Sequence, residues 1–374
     1  MMKRKWKAAV AILCIGLLML TAWKAKHIQD APLLPSLTTK ERKLLRIWTI
    51  NVPGGGQAWL KSQLHLFEKQ HPGVSTYLRT VSPDELAHPD AVLPDVVLYM
   101  PGDVTEPSAC FLPLSGEMAA KDGLLREELL RCGRWRGVQY GLPLCWGAWV
   151  LAIDSTLEPG SATTPAPTTL LGRPAATADA SATPEPGYPL EAAHQADCAL
   201  QSPGGAALFT LGLLLEEHPP LPESLGTLTS GEVYAAFQRR QCATAMLTTG
   251  QAVAFAGLTS GGSGFPFRLM VPDEIITDQI WLASITADAP PAAAMLLSYL
   301  TAADAQKGLA AQELHTVRKD LTLYAAGAAA QMEQAGQRAL AAINAYVPST
   351  QLQQSAWQFF QGTMTLNEAL LPLM

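Results

Sequence analysis

One stretch near the middle of the chain, Gly137 to Asp154 (GVQYGLPLCWGAWVLAID), constrains the fold more than any other. Its second half is an almost uninterrupted apolar run, which predicts a strand buried on both faces. Trp146 and Trp149 lie three positions apart, so on a regular strand they point to opposite faces, unless Gly147 hosts a bulge. We interpret the run as the passage from one lobe into a second, with its aromatic residues near the cleft. The alternative is a central strand with two core tryptophans.

The chain has 374 residues, enough for two ordinary domains or two lobes of one architecture. Hydrophobic residues make up 48% and charged residues 16%, as in a globular protein with a sizeable core. The formal net charge is -6, and it would be -10 without residues 1–22, because four basic residues lie there. A body that acidic argues against nucleic acid, whose phosphates need a basic face.

The first 26 residues have the features of an export signal or a membrane anchor. Four basic residues precede the apolar stretch Ala8 to Ala22, which at 15 residues is short for a bilayer span of ~20. Leu20 to Ala22 is a poor cleavage site, so an uncleaved anchor is the alternative to a signal peptide. In both cases we expect the body on the extracellular side of the cytoplasmic membrane, secreted or tethered by this segment.

The six cysteines include no CxxC pair and no zinc-ligand spacing, so we predict neither a metal nor another cofactor. Export makes disulfides feasible, and Cys110 with Cys132, or Cys198 with Cys242, are candidate pairs. The alternative is that all the cysteines are small buried hydrophobic side chains.

From residue 44 onward, strands and helices alternate in the hydrophobic pattern. Strands are predicted at 44–50, 74–81 and 94–100, with a helix at 58–70 between the first two. Strand, helix, strand in this order implies an α/β sheet with crossovers. The segment 155–189 is rich in Pro, Thr and Ala, which favours an extended or disordered excursion on the surface.

In the second half of the chain the hydrophobic pattern predicts mostly helices and one further strand. The strand is 279–285, and it would run back between the lobes. The C-terminal segment is predicted to form the last helices of the chain, around Trp357 and over Leu366 to Leu370. Further helices are predicted at 205–217, 230–241, 291–300 and 304–311, and a long alanine-rich helix at 324–346.

Ligands of α/β sheets gather at the carboxyl ends of the strands. Those ends carry Asn51 to Gln57 after the first strand and Pro101 to Asp103 after Tyr99. They are the first-lobe site candidates, although Asp103 can equally be an ordinary turn residue. The glycine triplet Gly54 to Gly56 lacks the spacing of a phosphate-binding loop.

The order of several short motifs resembles a known family. Arg46 to Trp48 ends a strand, and a helix finishes with Phe67 to Val74 (FEKQHPGV). Three further motifs follow in order: Pro94 to Val97 (PDVV), Tyr140 to Pro143 (YGLP) before the apolar strand, and Glu368 to Leu370 near the end of the chain. Together these pieces resemble the extracellular solute-binding proteins of ABC transporters, specifically the sugar-binding type that includes the maltose-binding protein.

The resemblance implies an α/β, two-lobe fold of the periplasmic-binding-protein type, with crossing hinge strands and a C-terminal helical segment. The first lobe would comprise residues 44–145 and 278–318, and the second 146–277 and 319–374. The two lobes would close over a ligand by a hinge movement. The implied function is the solute-binding component of an ABC transporter, a monomer that binds a mono- or oligosaccharide and delivers it to a permease in the membrane.

A sugar site needs flat rings for stacking and fixed polar groups for the hydroxyls. The family resemblance itself reaches Trp48, Tyr99, Gly102 or Asp103, and Trp146 to Trp149. Each aromatic residue can alternatively be core and nothing more. The candidate rings are Trp48, Tyr99, Trp146, Trp149, Phe255 and Trp281, and the candidate polar groups are Asn51, Gln57, Asp103 and Arg268.

Catalysis is not expected from the motifs. The sequence has no HExxH, GxSxG or SxxK motif and no His/Cys cluster with ligand spacing. The lipid-anchored cysteine usual in the family is missing, and polar site residues are few. The alternative function is therefore a membrane-tethered sensor or interaction protein on the same fold, with a degenerate ligand site.

Overall fold

The computed structural model describes residues 43–87, 94–114, 123–156, 198–199, 205–214 and 229–374. The predicted export segment lies outside these ranges, as does the Pro/Thr-rich excursion beyond Thr156. No helix within the described ranges has the length and apolar character needed to cross a membrane.

The described strands are short and are numbered here in chain order. They are β1 Lys43–Thr49, β2 Val74–Thr80, β3 Val96–Tyr99, β4 Arg134–Trp135, β5 Val138–Gln139, β6 Leu142–Trp146, β7 Trp149–Asp154, β8 Cys198–Ala199, β9 Thr244–Thr248, β10 Phe267–Met270, β11 Ile275–Thr277, β12 Ile280–Ile285, β13 His315–Thr316 and β14 Leu340–Ala342.

The described helices are numbered in the same way. They are α1 Gly56–Gln70, α2 Pro83–Ala87, α3 Glu127–Cys132, α4 Gly205–Leu214, α5 Ser230–Gln238, α6 Thr249–Ser260, α7 Pro291–Leu300, α8 Ala303–Lys307, α9 Gly327–Arg338, α10 Ser349–Phe360 and α11 Leu366–Leu370. Single 3-10 turns cover Pro107–Ala109, Gly308–Gln312 and Leu371–Leu373.

Two separate sheets organise the described chain. The first has the strand order β13-β6-β12-β3-β1-β2, and the second has the order β10-β7-β9-β8. In the first sheet β1 and β3 run parallel, whereas β12 lies antiparallel to both β3 and β6. We call the two sheets, with the helices that follow their strands, the first and the second lobe. The exact lobe boundaries proposed from the sequence stay predictions.

The apolar run at the centre of the sequence is two strands rather than one. β6 ends at Trp146 in the first sheet, and β7 begins at Trp149 in the second. Gly147 lies in the break, where its N–H donates to the Gln279 carbonyl at 2.7 Å. Because of this break, the two indole rings belong to different apolar clusters. The chain thus passes from one lobe to the other here, as the apolar pattern indicated.

A second passage runs beside the first in the opposite direction. β11 is followed by Asp278 and Gln279, and then β12 enters the centre of the first sheet. Thr277 Oγ1 donates to the Gly147 carbonyl at 2.8 Å, so the two passages are hydrogen-bonded to each other. Gln279 N–H in turn donates to Thr277 Oγ1 at 2.9 Å.

The prediction of one long helix at 324–346 is wrong. Helix α9 ends at Arg338, and the chain then forms β14, which pairs in parallel with β11. Alanine favours helix locally, but β11 offers an unpaired edge, and pairing there buries Leu340, Ala342 and Ile343. Tertiary pairing therefore overrides the helical propensity of this segment.

The candidate disulfide between Cys110 and Cys132 is not formed, because both side chains are free thiols. Cys132 is fully buried, and this burial raises the pKa of its thiol well above the ordinary value. It therefore behaves as a small core side chain. The second candidate pair includes Cys198, whose side chain lies outside the described part of the structure.

A buried histidine stands beside the first passage. The ring of His315 stacks on Trp146 at 4.4 Å between centroids, and Tyr324 meets it edge-on at 5.3 Å. Neither ring nitrogen has a hydrogen-bond partner. Burial, and then the nearby charge of Arg126, lower the pKa of His315 from 6.5 to about 3. The side chain is therefore neutral in the folded protein at neutral pH.

His315 should make stability depend on pH below neutrality. Below pH 6.5 His315 becomes protonated in the unfolded chain, whereas in the folded chain it stays neutral down to about pH 3. The free energy of unfolding therefore falls as the pH is lowered through this range. We expect the wild-type protein to lose about 2 to 3 kcal/mol more than His315→Phe between about pH 7 and pH 4.5. Urea unfolding at both pH values measures this difference.

The exposed His65 supplies the matched control. His65→Gln should keep the wild-type dependence on pH, because its side chain is hydrated in both states. An identical loss of stability in His315→Phe and wild-type protein would contradict the burial of a neutral imidazole.

Candidate functional site

A cavity of about 570 Å³ lies between the two lobes. Its first-lobe wall is the loop after β1 and the loop after β3, and its floor includes the passage residues Trp149, Asp278 and Gln279. The second lobe and the C-terminal segment close the other sides. The remaining lining residues are Gly205, Ser230, Thr248, Gln251, Ile343, Val347, Ser349 and Leu352.

The first-lobe wall is held by a pair of polar side chains at the carboxyl ends of β1 and β3. Asn51 Nδ2 donates to Asp103 Oδ1 at 2.5 Å, and the Met100 N–H donates to Asp103 Oδ2 at 2.7 Å. Burial raises the pKa of the Asp103 carboxyl above its ordinary value, while these hydrogen bonds lower it in part. Asp103 is thus a fixed acceptor whose negative charge is poorly hydrated.

The second-lobe wall is built from the starts of two helices. Thr248 and Gln251 form a reciprocal capping box at the start of α6. Gln251 Nε2 also donates to the hydroxyl and carbonyl oxygens of Ser230, at 2.8 and 3.0 Å, at the start of α5. These side chains therefore present a preorganised set of hydroxyl and amide groups.

Asp278 joins the floor of the cavity to the second lobe. Its Oδ1 accepts from Trp149 Nε1 at 2.8 Å and from Gln279 Nε2 at 3.0 Å. Its Oδ2 accepts from the Ala206 N–H at 3.2 Å, in the first turn of α4. One carboxylate thus fixes the indole of β7, the second passage and a helix start.

The ten candidate site residues are only partly brought together. Asn51, Asp103 and Trp149 line the cavity, although Trp149 is only 1% exposed and offers no free ring face. None of the other seven is among the lining residues. These seven are Trp48, Gln57, Tyr99, Trp146, Phe255, Arg268 and Trp281.

The rings outside the cavity lie in the core. Tyr99 Oη is hydrogen-bonded to Ser284 and to Tyr346, both at 2.8 Å. Trp146 Nε1 donates to the Thr316 carbonyl at 2.9 Å. Phe255 packs among other phenylalanines, such as Phe237 at 5.1 Å. The core interpretation of aromatic residues therefore describes these three positions.

The other four candidates lie in different elements of the two lobes: Trp281 in the central strand β12, Trp48 in β1, Gln57 at the start of α1 and Arg268 in β10. Trp281 is buried 6.4 Å from the Trp59 ring, and Trp48 lies under the guanidinium of Arg79 at 5.6 Å. Gln57 is exposed near Thr80, at 3.4 Å. Arg268 is half-buried in β10.

Sequence reasoning missed the polar groups that come from the second lobe and the passage. Thr248 and Gln251 match the capping-box spacing, which would have placed a helix start there. Asp278 and Gln279 directly precede a predicted strand. These signals locate helix and strand ends but do not show that the ends converge on one cavity.

The two lobes touch at the rim of the cavity through two glycines. A Cβ built on Gly250, at the start of α6, would lie 3.7 Å from Gly54 Cα in the loop after β1. An alanine therefore fits at position 250 with ordinary contact, whereas a longer side chain would occupy the space of the opposite backbone. The structure thus has the lobes closed at this point.

The described residues include no group of three or more His, Cys, Asp or Glu side chains that could hold a metal ion. Neither a protein-family model nor a curated protein sequence matches the chain.

Solved structures do match it over most of its length. The GacH receptor of Streptomyces glaucescens is 15% identical, with a TM-score of 0.56 over 88% of this chain and 96% of that one. Maltose-bound MalE3 of T. maritima is 13% identical, with the same score over 88% and 97%. A solute-binding protein of an ABC transporter from Thermotoga lettingae gives the same values as MalE3. At these identities the likeness concerns the fold, and it confirms the predicted two-lobe α/β architecture.

The two central tryptophans should respond differently to truncation. Trp146→Ala removes a fully buried indole from the first-lobe core and should cost about 3 to 5 kcal/mol of unfolding free energy. Trp149→Ala should cost a similar amount and also leave Asp278 without its indole donor at the cavity floor. Urea unfolding measures both losses. A loss below about 1 kcal/mol for Trp146→Ala would contradict its place in the core.

Proposed function

We propose that the protein is the extracellular solute-binding component of an ABC transporter, which captures a carbohydrate between its lobes and delivers it to a membrane permease. The observation that carries the proposal is the cavity between the lobes, lined by side chains from both lobes and from the passages. Its volume of about 570 Å³ is within the usual range for small-molecule sites.

The polar groups of the cavity suit hydroxyl groups of a sugar. The carboxylates of Asp103 and Asp278 accept hydrogen bonds, and the amides of Asn51 and Gln279 both donate and accept, whereas Gln251 already donates both Nε2 hydrogens to Ser230. Several of these groups are already fixed by bonds to neighbouring residues, so little order is lost when a ligand binds.

The structural neighbours support a carbohydrate as the ligand class. GacH is described in complex with acarbose, MalE3 is bound to maltose, and the Thermotoga lettingae protein is bound to α-D-tagatose. GacH is described as a receptor, and the Thermotoga lettingae protein as a solute-binding protein of an ABC transporter. We propose the same for this chain: a monomer that binds without catalysis, outside the cytoplasmic membrane, with residues 1–26 as its export signal or anchor.

Removing one cavity side chain should weaken sugar binding. A thermal-shift screen with mono- and oligosaccharides should find a ligand that raises the melting temperature, because a ligand that binds only the folded state stabilises it. For that ligand, Asn51→Ala should raise the dissociation constant about three- to tenfold, as expected for one lost hydrogen bond. Isothermal titration calorimetry gives the constant.

Asn367→Ala, an exposed site in α11, is the control and should bind like the wild-type protein. If no saccharide changes the melting temperature, or if both variants bind equally, the cavity does not hold the sugar.

Lobe closure should depend on the small residue at position 250. A ligand can drive closure only if it binds the closed state more tightly than the open one. Gly250→Ala should bind the screened sugar within about twofold of wild type, whereas Gly250→Leu should prevent the contact with Gly54 and bind at least about tenfold more weakly, a loss of about 1.4 kcal/mol.

The comparison between the two variants separates steric blocking from a change of helix propensity, because both replace glycine at the same helical position. Equal affinities for the Ala and Leu variants would contradict closure at this contact.

A further inference from the structure

A second cavity, of about 500 Å³, lies apart from the one between the lobes. Its walls come from the loop after β3, the hairpin of β4 and β5, the segment from β14 into α10, and the last residues of the chain. Val347 is the one lining residue that the two cavities share. The volume of the second cavity is within the usual range for small-molecule sites.

Part of the lining of this second cavity is apolar. Trp135 and Tyr346 meet edge-on, with 5.9 Å between ring centroids. An apolar group of a ligand would therefore be removed from water against aromatic and aliphatic side chains. The other apolar lining residues are Val347, Pro348, Pro372 and Met374.

Some polar side chains of the lining are already committed to the protein. Arg134 donates to Gln139 Oε1 at 3.1 Å and forms an ion pair with Glu127 at 2.9 Å. Asn344 Nδ2 donates to the Arg134 carbonyl, and Asn344 Oδ1 accepts from the Tyr346 N–H, both at 3.0 Å. These groups fix the wall, so they are not the ones that a ligand would pair with.

Two charged side chains of the lining remain uncommitted. Arg136 and Glu106 are both exposed, and they carry opposite charges. Within the part of the chain that the structure describes, neither side chain forms an ion pair or a hydrogen bond, with the other or with any residue. One cavity thus presents a cation and an anion that do not neutralise each other by direct contact.

The position of Arg136 is set by a tight turn. Arg136 and Gly137 join the paired strands β4 and β5, and both have positive φ, 49° and 81°. A two-residue turn of this kind favours asparagine or glycine, so an arginine there costs backbone strain. The guanidinium lies over the Trp135 ring, 5.4 Å from its centroid. The turn and this contact hold the cation beside the apolar part of the lining.

We propose that the second cavity is a small-molecule site for a zwitterion with an apolar side chain, an amino acid or a dipeptide. The carboxylate of the ligand pairs with Arg136, because a guanidinium matches the geometry of a carboxylate. The ammonium group pairs with Glu106, and the side chain packs on the apolar lining. This inference goes beyond the proposed function and does not depend on what the cavity between the lobes binds.

Probes that differ in one charge test the proposal. Leucine and phenylalanine, each with its N-acetyl and its amide derivative, form two series, and leucyl-leucine represents the dipeptides. We expect one of the three zwitterions to raise the melting temperature. In isothermal titration calorimetry, the loss of either charge should weaken binding at least about threefold, as for a partly exposed ion pair. Serine should bind more weakly than leucine, because its side chain buries little apolar surface.

Two variants assign the charges to their partners. Arg136→Gln should weaken binding of the zwitterion at least about threefold but leave the amide derivative, which has no carboxylate, within about twofold of wild type. Glu106→Gln should likewise weaken the zwitterion and spare the N-acetyl derivative, which has no ammonium group. Arg239→Gln and Glu274→Gln make the same charge changes at exposed positions outside the cavity, and they should leave every affinity unchanged.

Three results would overturn the inference. The first is that no zwitterion binds. The second is that an uncharged-end derivative binds as tightly as its parent zwitterion. The third is that Arg136→Gln or Glu106→Gln binds the zwitterion like the wild-type protein, since the ligand is then held elsewhere. Each of these results leaves the proposed sugar site standing, because the saccharide screen tests that site separately.

Discussion

The structure depends on the pair of hydrogen bonds that joins its two passages between lobes. Gly147 donates to Gln279, and Thr277 donates back to Gly147, so the outgoing and returning chains meet at one point. Asp278 extends this junction by holding the Trp149 indole and the start of α4. Because the same residues form the floor of the cavity, the junction fixes the site as well as the connection between sheets.

The junction also explains which residues can contact a ligand. The large rings near the junction are packed in the protein interior. Trp146 stacks on His315 in the first lobe, and Trp149 is hydrogen-bonded to Asp278 in the second lobe. The cavity is therefore lined mainly by short polar side chains, glycines and aliphatic groups. The cavity therefore offers hydrogen-bonding groups rather than free aromatic ring faces.

Much of the fold could be predicted from periodicity and motif order. The apolar run with its central glycine indicated the passage between lobes, and the strand and helix order around residues 44–100 indicated the first sheet. The segment after Arg338 could not be assigned in this way, because its strand exists only through pairing with β11. Local propensity carries no information about an edge strand that lies some 60 residues earlier in the chain.

The site was less predictable than the fold for a related reason. Asn51 and Asp103 follow strands directly, and the rule for the carboxyl ends of strands reaches them. Ser230, Gln251 and Asp278 are brought together only by the relative placement of helix starts and passages. Trp281 falls within a predicted strand, which favoured a core position, whereas Tyr99 lies near the end of one, next to the site candidates Pro101 to Asp103, and is also buried. Burial decides between core and site, and burial is a property of the whole fold.

A crystal structure of the protein with a saccharide from the binding screen tests the central claim most directly. The account predicts one sugar molecule between the lobes, within hydrogen-bonding distance of both Asp103 and Asp278, with Gly54 and Gly250 still in contact. A sugar bound elsewhere on the surface, with the cavity between the lobes holding only solvent, would contradict it.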